Sequence, residues 1–73
     1  MKTLNELKID ESATALDISA SGALKRRFTD IGLINGTKVQ CVAVSPQGDP
    51  KAFLIRGAVI AIRNSDSALI KVE

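Results

Sequence analysis

The sequence predicts a mainly β fold, a small antiparallel barrel of about five strands with one short helix inserted between strands one and two. Short segments rich in β-branched residues are separated by turn signals about every 8–12 residues, which is typical of small all-β domains. One segment instead carries apolar residues at helical spacing. The chain has 73 residues, too few for a second domain, so we treat residues 1–73 as a single domain.

The N-terminal segment is predicted to lie over the barrel as a short lid. Leu4 and Leu7 are three residues apart, about one helical turn, so both face the same side. Residues 15–19 follow as the first strand, with the period-2 alternation of a half-buried strand. This alternation predicts that Leu16 and Ile18 lie on its buried face.

The clearest helix begins after Ser21, a residue type whose side chain often accepts a hydrogen bond from the first helical turn. An apolar stripe at positions i, i+4 and i+7 is predicted to face the sheet: Leu24, Phe28 and Ile31. Gly32 takes the position after the last turn, where a left-handed backbone costs glycine little. Leu33 would then pack back on Phe28, as in a Schellman ending.

The second half of the chain predicts the remaining strands. Asn35-Gly36 is a strong turn signal, and residues 37–44 form a strand whose alternation buries Cys41 as a small hydrophobic side chain. Three more strands are expected at residues 52–55, 59–63 and 69–72, separated by a tight turn at 56–58 and a further turn at 64–67. Together they predict an SH3-like barrel, and its closure would remove the exposed sheet edges.

Composition excludes several classes of function. The chain has no His, Trp or Tyr and one Cys, so we expect neither an enzyme nor a resident cofactor. An aromatic groove for proline-rich peptides cannot be built from these residues. One alternative stays open, a weak site for Fe²⁺ or another divalent metal, made of carboxylates or Cys41 and shared between subunits.

Charge and hydropathy give further expectations about partners and location. Net charge is +2, and the only basic run is Lys25-Arg26-Arg27, without aromatic residues beside it, so we do not expect nucleic-acid binding. This run is also consistent with a solvated helix face, with Arg27 paired to Asp30 or packed over the sheet. No signal peptide or membrane span is apparent, which predicts a cytoplasmic protein without direct membrane insertion.

Four segments of the chain, which follow one another in the same order, resemble the FeoA family. They are the helix and its exit at residues 24–39, the loop Pro46-Gln47-Gly48-Asp49-Pro50, the turn and strand at residues 56–63, and the closing strand at residues 68–72. The resemblance runs from Leu4 to Val72. Two departures are Phe28, where the family has Leu, and Asn35, where it has Pro.

The resemblance implies a small cytoplasmic accessory protein of bacterial ferrous iron uptake. Such a protein binds and modulates the FeoB-type membrane permease and lies at the inner face of the membrane through that partner. A homodimer formed through an edge strand is left open. The residues proposed for partner binding are those of the exposed helix face and the stiff loop: Lys25, Arg26, Arg27, Pro46, Gly48, Asp49 and Pro50.

The alternative is a metal-responsive regulatory domain, because the family is related to the SH3-like C-terminal domain of iron- and manganese-dependent repressors. In such repressors a helix-turn-helix region precedes the SH3-like domain. Here Met1 stands only a few residues before the domain. The sequence therefore favours a freestanding FeoA-like protein over a repressor domain.

Overall fold

The computed structural model describes residues 2–73 as a curled antiparallel sheet with two α-helices and one 3-10 helix. Its elements are β1 Lys2–Thr3, the 3-10 helix Leu4–Glu6, β2 Ser12–Ile18, α1 Gly22–Asp30, β3 Lys38–Val44, β4 Lys51–Ile55, β5 Ala58–Ile62, α2 Asn64–Ser67 and β6 Ile70–Val72. Strand order is β1-β6-β2-β3-β4-β5. The predicted fold class is confirmed, with β1 as an additional short strand and α2 as one helical turn where the sequence predicts only a turn.

Strand β2 connects the two halves of the barrel. Its first residues pair with β3 and its last residues pair with β6. The register shifts between Ala15 and Asp17, so Leu16 is the extra residue of a β-bulge. The bulge changes the alternation: Ala13 and Ala15 are buried, whereas Leu16 and Ile18 are only half-buried. The prediction that Leu16 and Ile18 share the buried face was therefore wrong, because a strand with a bulge does not keep period 2.

The sheet of residues 2–73 keeps two end strands, β1 and β5, and β5 pairs only with β4. The prediction that barrel closure removes the edges is therefore corrected for β5. Closure would require a strand beside β5, but α1 stands across from it, with Leu24 and Phe28 of α1 and Ile60 of β5 lining one groove. A helix side has no free backbone groups with which to continue the ladder.

Helix α1 ends as predicted. The Leu33 N–H donates to the Phe28 carbonyl at 2.8 Å, and the Gly32 N–H donates to the Thr29 carbonyl at 3.0 Å. These are the two hydrogen bonds of a Schellman motif, and Gly32 has the required positive φ of 84°. Ser21 is the N-cap residue, but its side chain makes no capping hydrogen bond, so that part of the prediction was wrong.

The exit of α1 is attached to the turn between β4 and β5. Arg56 Nε donates to the Gly32 carbonyl at 2.9 Å, and the Thr37 hydroxyl donates to the same oxygen at 3.0 Å. A Cβ atom on Gly32 would lie 2.5 Å from Arg56 Cδ, so glycine is needed for this approach as well as for its φ. Arg56 and Gly57 have φ of 48° and 84°, typical of a two-residue type I′ hairpin turn.

The core lies inside the barrel under the N-terminal lid. Leu4 and Leu7 are both fully buried, which confirms the predicted lid. Lys51 Nζ donates to the Asn5 carbonyl at 2.5 Å and to the Leu7 carbonyl at 3.0 Å. These bonds fasten the lid to β4 and satisfy carbonyls at the end of the 3-10 helix that lack intrahelical partners.

Candidate partner-binding site

A groove lies between α1, β5 and α2. Its volume is about 380 Å³. The apolar stripe of α1 forms one wall, and the end of β5 forms the other. The apolar side chains lining it are Leu24, Phe28, Ile31, Pro50, Ile60, Ala61 and Ile62. A concave surface that combines apolar side chains with a few charged groups is a usual form of binding site.

Three charged side chains line the same groove: Arg27 from α1, Arg63 after β5 and Asp66 from α2. Arg27 and Arg63 are exposed. The one ion pair within residues 2–73 joins Lys2 to Glu11. Arg27 therefore does not pair with Asp30, and it lines the groove instead. The groove therefore carries an excess of one positive charge over an apolar floor, which suits an apolar ligand with a carboxylate.

The structure brings only two of the predicted site residues together, Arg27 and Pro50, which both line this groove. Lys25 lies on the other side of α1, in a second groove of about 340 Å³ that includes Ile34. Arg26 is exposed on the same helix. The basic run thus divides between two sides of α1, as the 3.6-residue periodicity of a helix requires.

The loop between β3 and β4 has structural hydrogen bonds of its own. Asp49 Oδ1 accepts a hydrogen bond from the Asn64 backbone N–H at 2.8 Å, and Asn64 Nδ2 donates to the Gly48 carbonyl at 3.0 Å. Asp49 thereby satisfies one of the free N–H groups at the start of α2. Pro46 is exposed at the loop tip. Asp49 and Gly48 therefore fix the loop to α2. Of the loop residues predicted to bind a partner, Pro46 is exposed and Pro50 lines the groove.

The β5 wall of the groove was not predicted from the sequence as part of the site. The predicted strand at residues 59–63 contains Ile60, Ile62 and Arg63. Its sequence gives no sign that one edge of the strand stays unpaired. The available signal was the apolar run from Ala58 to Ile62, which lacks the alternation of a strand with one polar face. Such a run predicts that both faces of the strand contact other parts of a protein.

The alternative of direct metal binding finds little support in the side-chain arrangement. Residues 2–73 hold no group of three or more His, Cys, Asp or Glu side chains placed to share an ion. Cys41 is fully buried, and that burial raises the pKa of its thiol. A buried, protonated thiol is a poor ligand, because metals bind the thiolate.

Cys41 is expected to resist thiol reagents in the native protein. Alkylation requires an exposed thiolate, and burial denies both exposure and ionisation, so reaction should proceed only through unfolding. We expect modification by iodoacetamide at pH 7.5 to be at least about a hundredfold slower than in 8 M urea. Mass spectrometry over time measures both rates. Comparable rates in the two conditions would contradict the burial of Cys41 and reopen its role as a ligand.

In the described part of the chain, no helix has the length and apolar character needed to cross a bilayer.

Comparison with known proteins gives consistent relatives. A curated relative in Porphyromonas gingivalis (strain ATCC BAA-308 / W83), an Fe(2+) transport protein A/Fe(2+) transporter FeoB fusion protein, is 27% identical over 70 residues; the match covers 96% of this chain and 8% of that protein. This chain thus spans only about 8% of the fusion protein's length.

Solved structures agree in fold and sequence. The solution structure of a FeoA protein from Chlorobium tepidum is 31% identical, with a TM-score of 0.91, over 97% of this chain and 68% of that chain. The crystal structure of Stenotrophomonas maltophilia FeoA complexed with zinc, described as a prokaryotic SH3 domain protein, is 30% identical, with a TM-score of 0.82, over 100% of this chain and 91% of that chain.

Metal-dependent repressors share the fold alone. A manganese-dependent transcriptional repressor superposes with a TM-score of 0.89 at 19% identity, over 99% of this chain and 40% of that chain. At that identity the likeness carries no function. The FeoA domain family, in contrast, matches residues 2–73, nearly the whole sequence, and the chain therefore belongs to the FeoA family.

Proposed function

We propose that this domain is a cytoplasmic accessory component of bacterial ferrous iron uptake that binds the FeoB-type permease and modulates it. The observation that carries the proposal is the fusion of a similar domain to FeoB in one polypeptide of Porphyromonas gingivalis. Covalent linkage holds two modules at high effective concentration. Such a fusion supports the view that the two modules work in contact with each other. The same contact would form between separate chains, with a smaller fraction of the domain bound.

The surface proposed for docking combines the exposed cations on the two sides of α1 with the loop tip. Lys25, Arg26 and Arg27 are exposed on one short helix, and Pro46 is exposed at the end of a loop fixed by Asp49. Residues on elements that are already ordered lose little conformational entropy when they dock against a partner. Exposed cations also speed encounter with an acidic surface. These features support a protein partner with acidic groups around its docking site.

The domain is proposed to act by binding rather than by catalysis. A binding protein shifts a partner's conformational equilibrium only by as much as its affinities for the two conformations differ. The resemblance to FeoA proteins implies a permease with a cytoplasmic G-protein portion. Modulation would therefore follow if the domain preferred one nucleotide state of that portion. The sign of that preference decides whether the domain activates or restrains transport.

A capture experiment tests this function. The domain is immobilised, and detergent-solubilised membranes containing the permease of the same organism are passed over it with GDP, with a non-hydrolysable GTP analogue, or without nucleotide. We expect retention of the permease, with a severalfold difference between the two nucleotide states. Absence of retention in all three conditions would remove the partner assignment.

Charge reversal defines the surface. The double variant Lys25→Glu/Arg26→Glu should weaken capture, while its melting temperature changes little because both side chains are exposed. The matched control is Lys8→Glu/Lys38→Glu, which makes the same charge change at two exposed positions outside α1. Equal loss in both double variants would indicate a non-specific charge effect and exclude the helix face as the docking surface.

A further inference from the structure

Strand β5 is an edge strand without the features that protect most edges. It pairs with β4 in an unbroken register from Ala58 to Ile62, with no bulge, proline or charged residue within it. Val59 is 65% exposed, which is the highest exposed fraction among the large hydrophobic side chains of residues 2–73. Natural sheets usually protect such strands with charges, prolines or bulges. An unprotected apolar edge indicates a strand that is covered in use.

The backbone of β5 offers hydrogen-bonding groups on its open side. The two-residue turn makes Ile55 and Ala58 a hydrogen-bonded pair, and pairs alternate along an antiparallel ladder. Val59 and Ala61 are therefore non-hydrogen-bonded with respect to β4, and their N–H and C=O groups point away from it. In residues 2–73 no hydrogen bond outside the sheet ladders involves these groups. The edge presents two donors and two acceptors to an added strand.

The groove beside this edge determines the side chains such a strand would carry. Ile60 lies opposite Phe53 and faces the interior with it, and on the far side of the groove stand Leu24 and Phe28 of α1. Alternate side chains of an added strand point to the same face. Those on the inner face would enter the groove of about 380 Å³, so they should be apolar.

The charge around the edge selects an acidic segment. Arg56 precedes β5, Arg63 follows it, and Arg27 stands across the groove, against the single carboxylate of Asp66. A segment with a carboxylate at either end would meet a cation at each end of β5. Charge-assisted pairs of arginine with carboxylate are among the stronger polar contacts.

The same cations oppose pairing with a second copy of the chain. Antiparallel pairing of two β5 strands about Ile60 would place Arg63 of each copy beside Gly57, and hence next to Arg56, of the other. Like charges brought this close to each other disfavour the pairing. A five-residue strand also buries too little surface alone to hold a stable dimer.

From these observations we propose that β5 and the groove beside α1 form a β-augmentation site for an extended protein segment with alternating apolar residues and flanking carboxylates. Such a segment adds a strand to β5 through its backbone and places its apolar side chains against α1. The proposal concerns the surface and the chemistry of its ligand, and it holds whether or not the permease supplies the segment.

The test uses a fluorescein-labelled, blocked heptapeptide, Glu-Val-Thr-Val-Thr-Val-Glu, in anisotropy titrations with the whole chain. A peptide with Lys in place of both Glu residues should bind at least about tenfold more weakly. Arg27→Glu/Arg63→Glu should weaken binding of the acidic peptide about tenfold, and Lys8→Glu/Lys38→Glu should not. Absence of binding at millimolar protein, or indifference to both charge changes, overturns the proposal.

Backbone substitutions distinguish strand addition from side-chain binding. Ala61→Pro removes an N–H on the open edge without removing a ladder bond to β4, and proline is tolerated there; we expect the peptide to bind about tenfold more weakly. With the wild-type chain, N-methylation of the Val residues and of the Thr residues gives two further peptides. Only one set of N–H groups can face β5, so one peptide should lose binding and the other keep it. Equal affinities overturn the proposal even if Ala61→Pro fails to fold.

Self-association is the competing occupant of this edge. Sedimentation equilibrium of the wild-type chain, with and without the peptide, determines whether β5 is free. We expect a monomer that takes up one peptide. A dimer that dissociates on peptide addition or in Ala61→Pro would instead assign the edge to a second copy of the chain and overturn the proposal.

Discussion

Phe53→Ala should destabilise the domain by about 3–5 kcal/mol, the usual cost of truncating a fully buried phenylalanine. Phe53 is the largest side chain that is fully buried, and it lies between Cys41 on β3 and Ile60 on β5. A domain of this size holds roughly 4–11 kcal/mol in total. The variant should therefore melt about 12–40 °C below the wild type and be partly unfolded at 37 °C.

Thermal and urea denaturation followed by circular dichroism measure the effect. Phe53→Leu is the matched control, because it retains an apolar side chain in the same place and should cost less than half as much. If Phe53→Ala lost under about 1 kcal/mol, the barrel interior would have to refill the space left by the ring. A core this small has few side chains able to move into it.

Much of the fold could be predicted because each element carries its own local signal. Gly32 after the stripe of α1 predicts the Schellman ending, and the alternation of β3 predicts that Cys41 is buried; the structure has both. The bulge at Leu16 has no such signal, since it depends on how β2 bends between β3 and β6. Local patterns predict elements, and long-range pairing decides where a pattern is interrupted.

The candidate site was harder to predict for the same reason. The basic run on α1 is visible in the sequence, but the proposed partner surface also depends on which strand remains unpaired. Arg27 and Arg63 are 36 positions apart by their numbers and meet at one groove only because α1 lies beside β5. Pro50 joins them through a loop held by Asn64. No spacing rule connects such residues, so the family resemblance can be stated from the sequence, whereas a surface can be proposed only from the structure.

Phe28→Ala should detach α1 from the barrel and cost about 3 kcal/mol. The helix makes no ladder hydrogen bonds with the sheet, and nine residues are too few to remain helical alone in water. Its docking depends on apolar contacts, of which Phe28, only 4% exposed, is the most deeply buried. Loss of the ring should increase amide hydrogen exchange along α1 more than in β3 or β4, because the sheet keeps its own pairing.

The functional consequence follows from the position of Phe28 in the groove wall. In Phe28→Ala, permease capture and peptide binding should both fall together with the order of α1, although Arg27 and Arg63 are unchanged. Phe28→Leu is the matched control: leucine keeps an apolar contact of similar volume, so the variant should lose less than about 1.5 kcal/mol and bind nearly as the wild type. If Phe28→Ala bound the peptide normally while α1 exchanged freely, the helix would not be a wall of the binding site. Binding would then depend on the β5 edge and its cations alone.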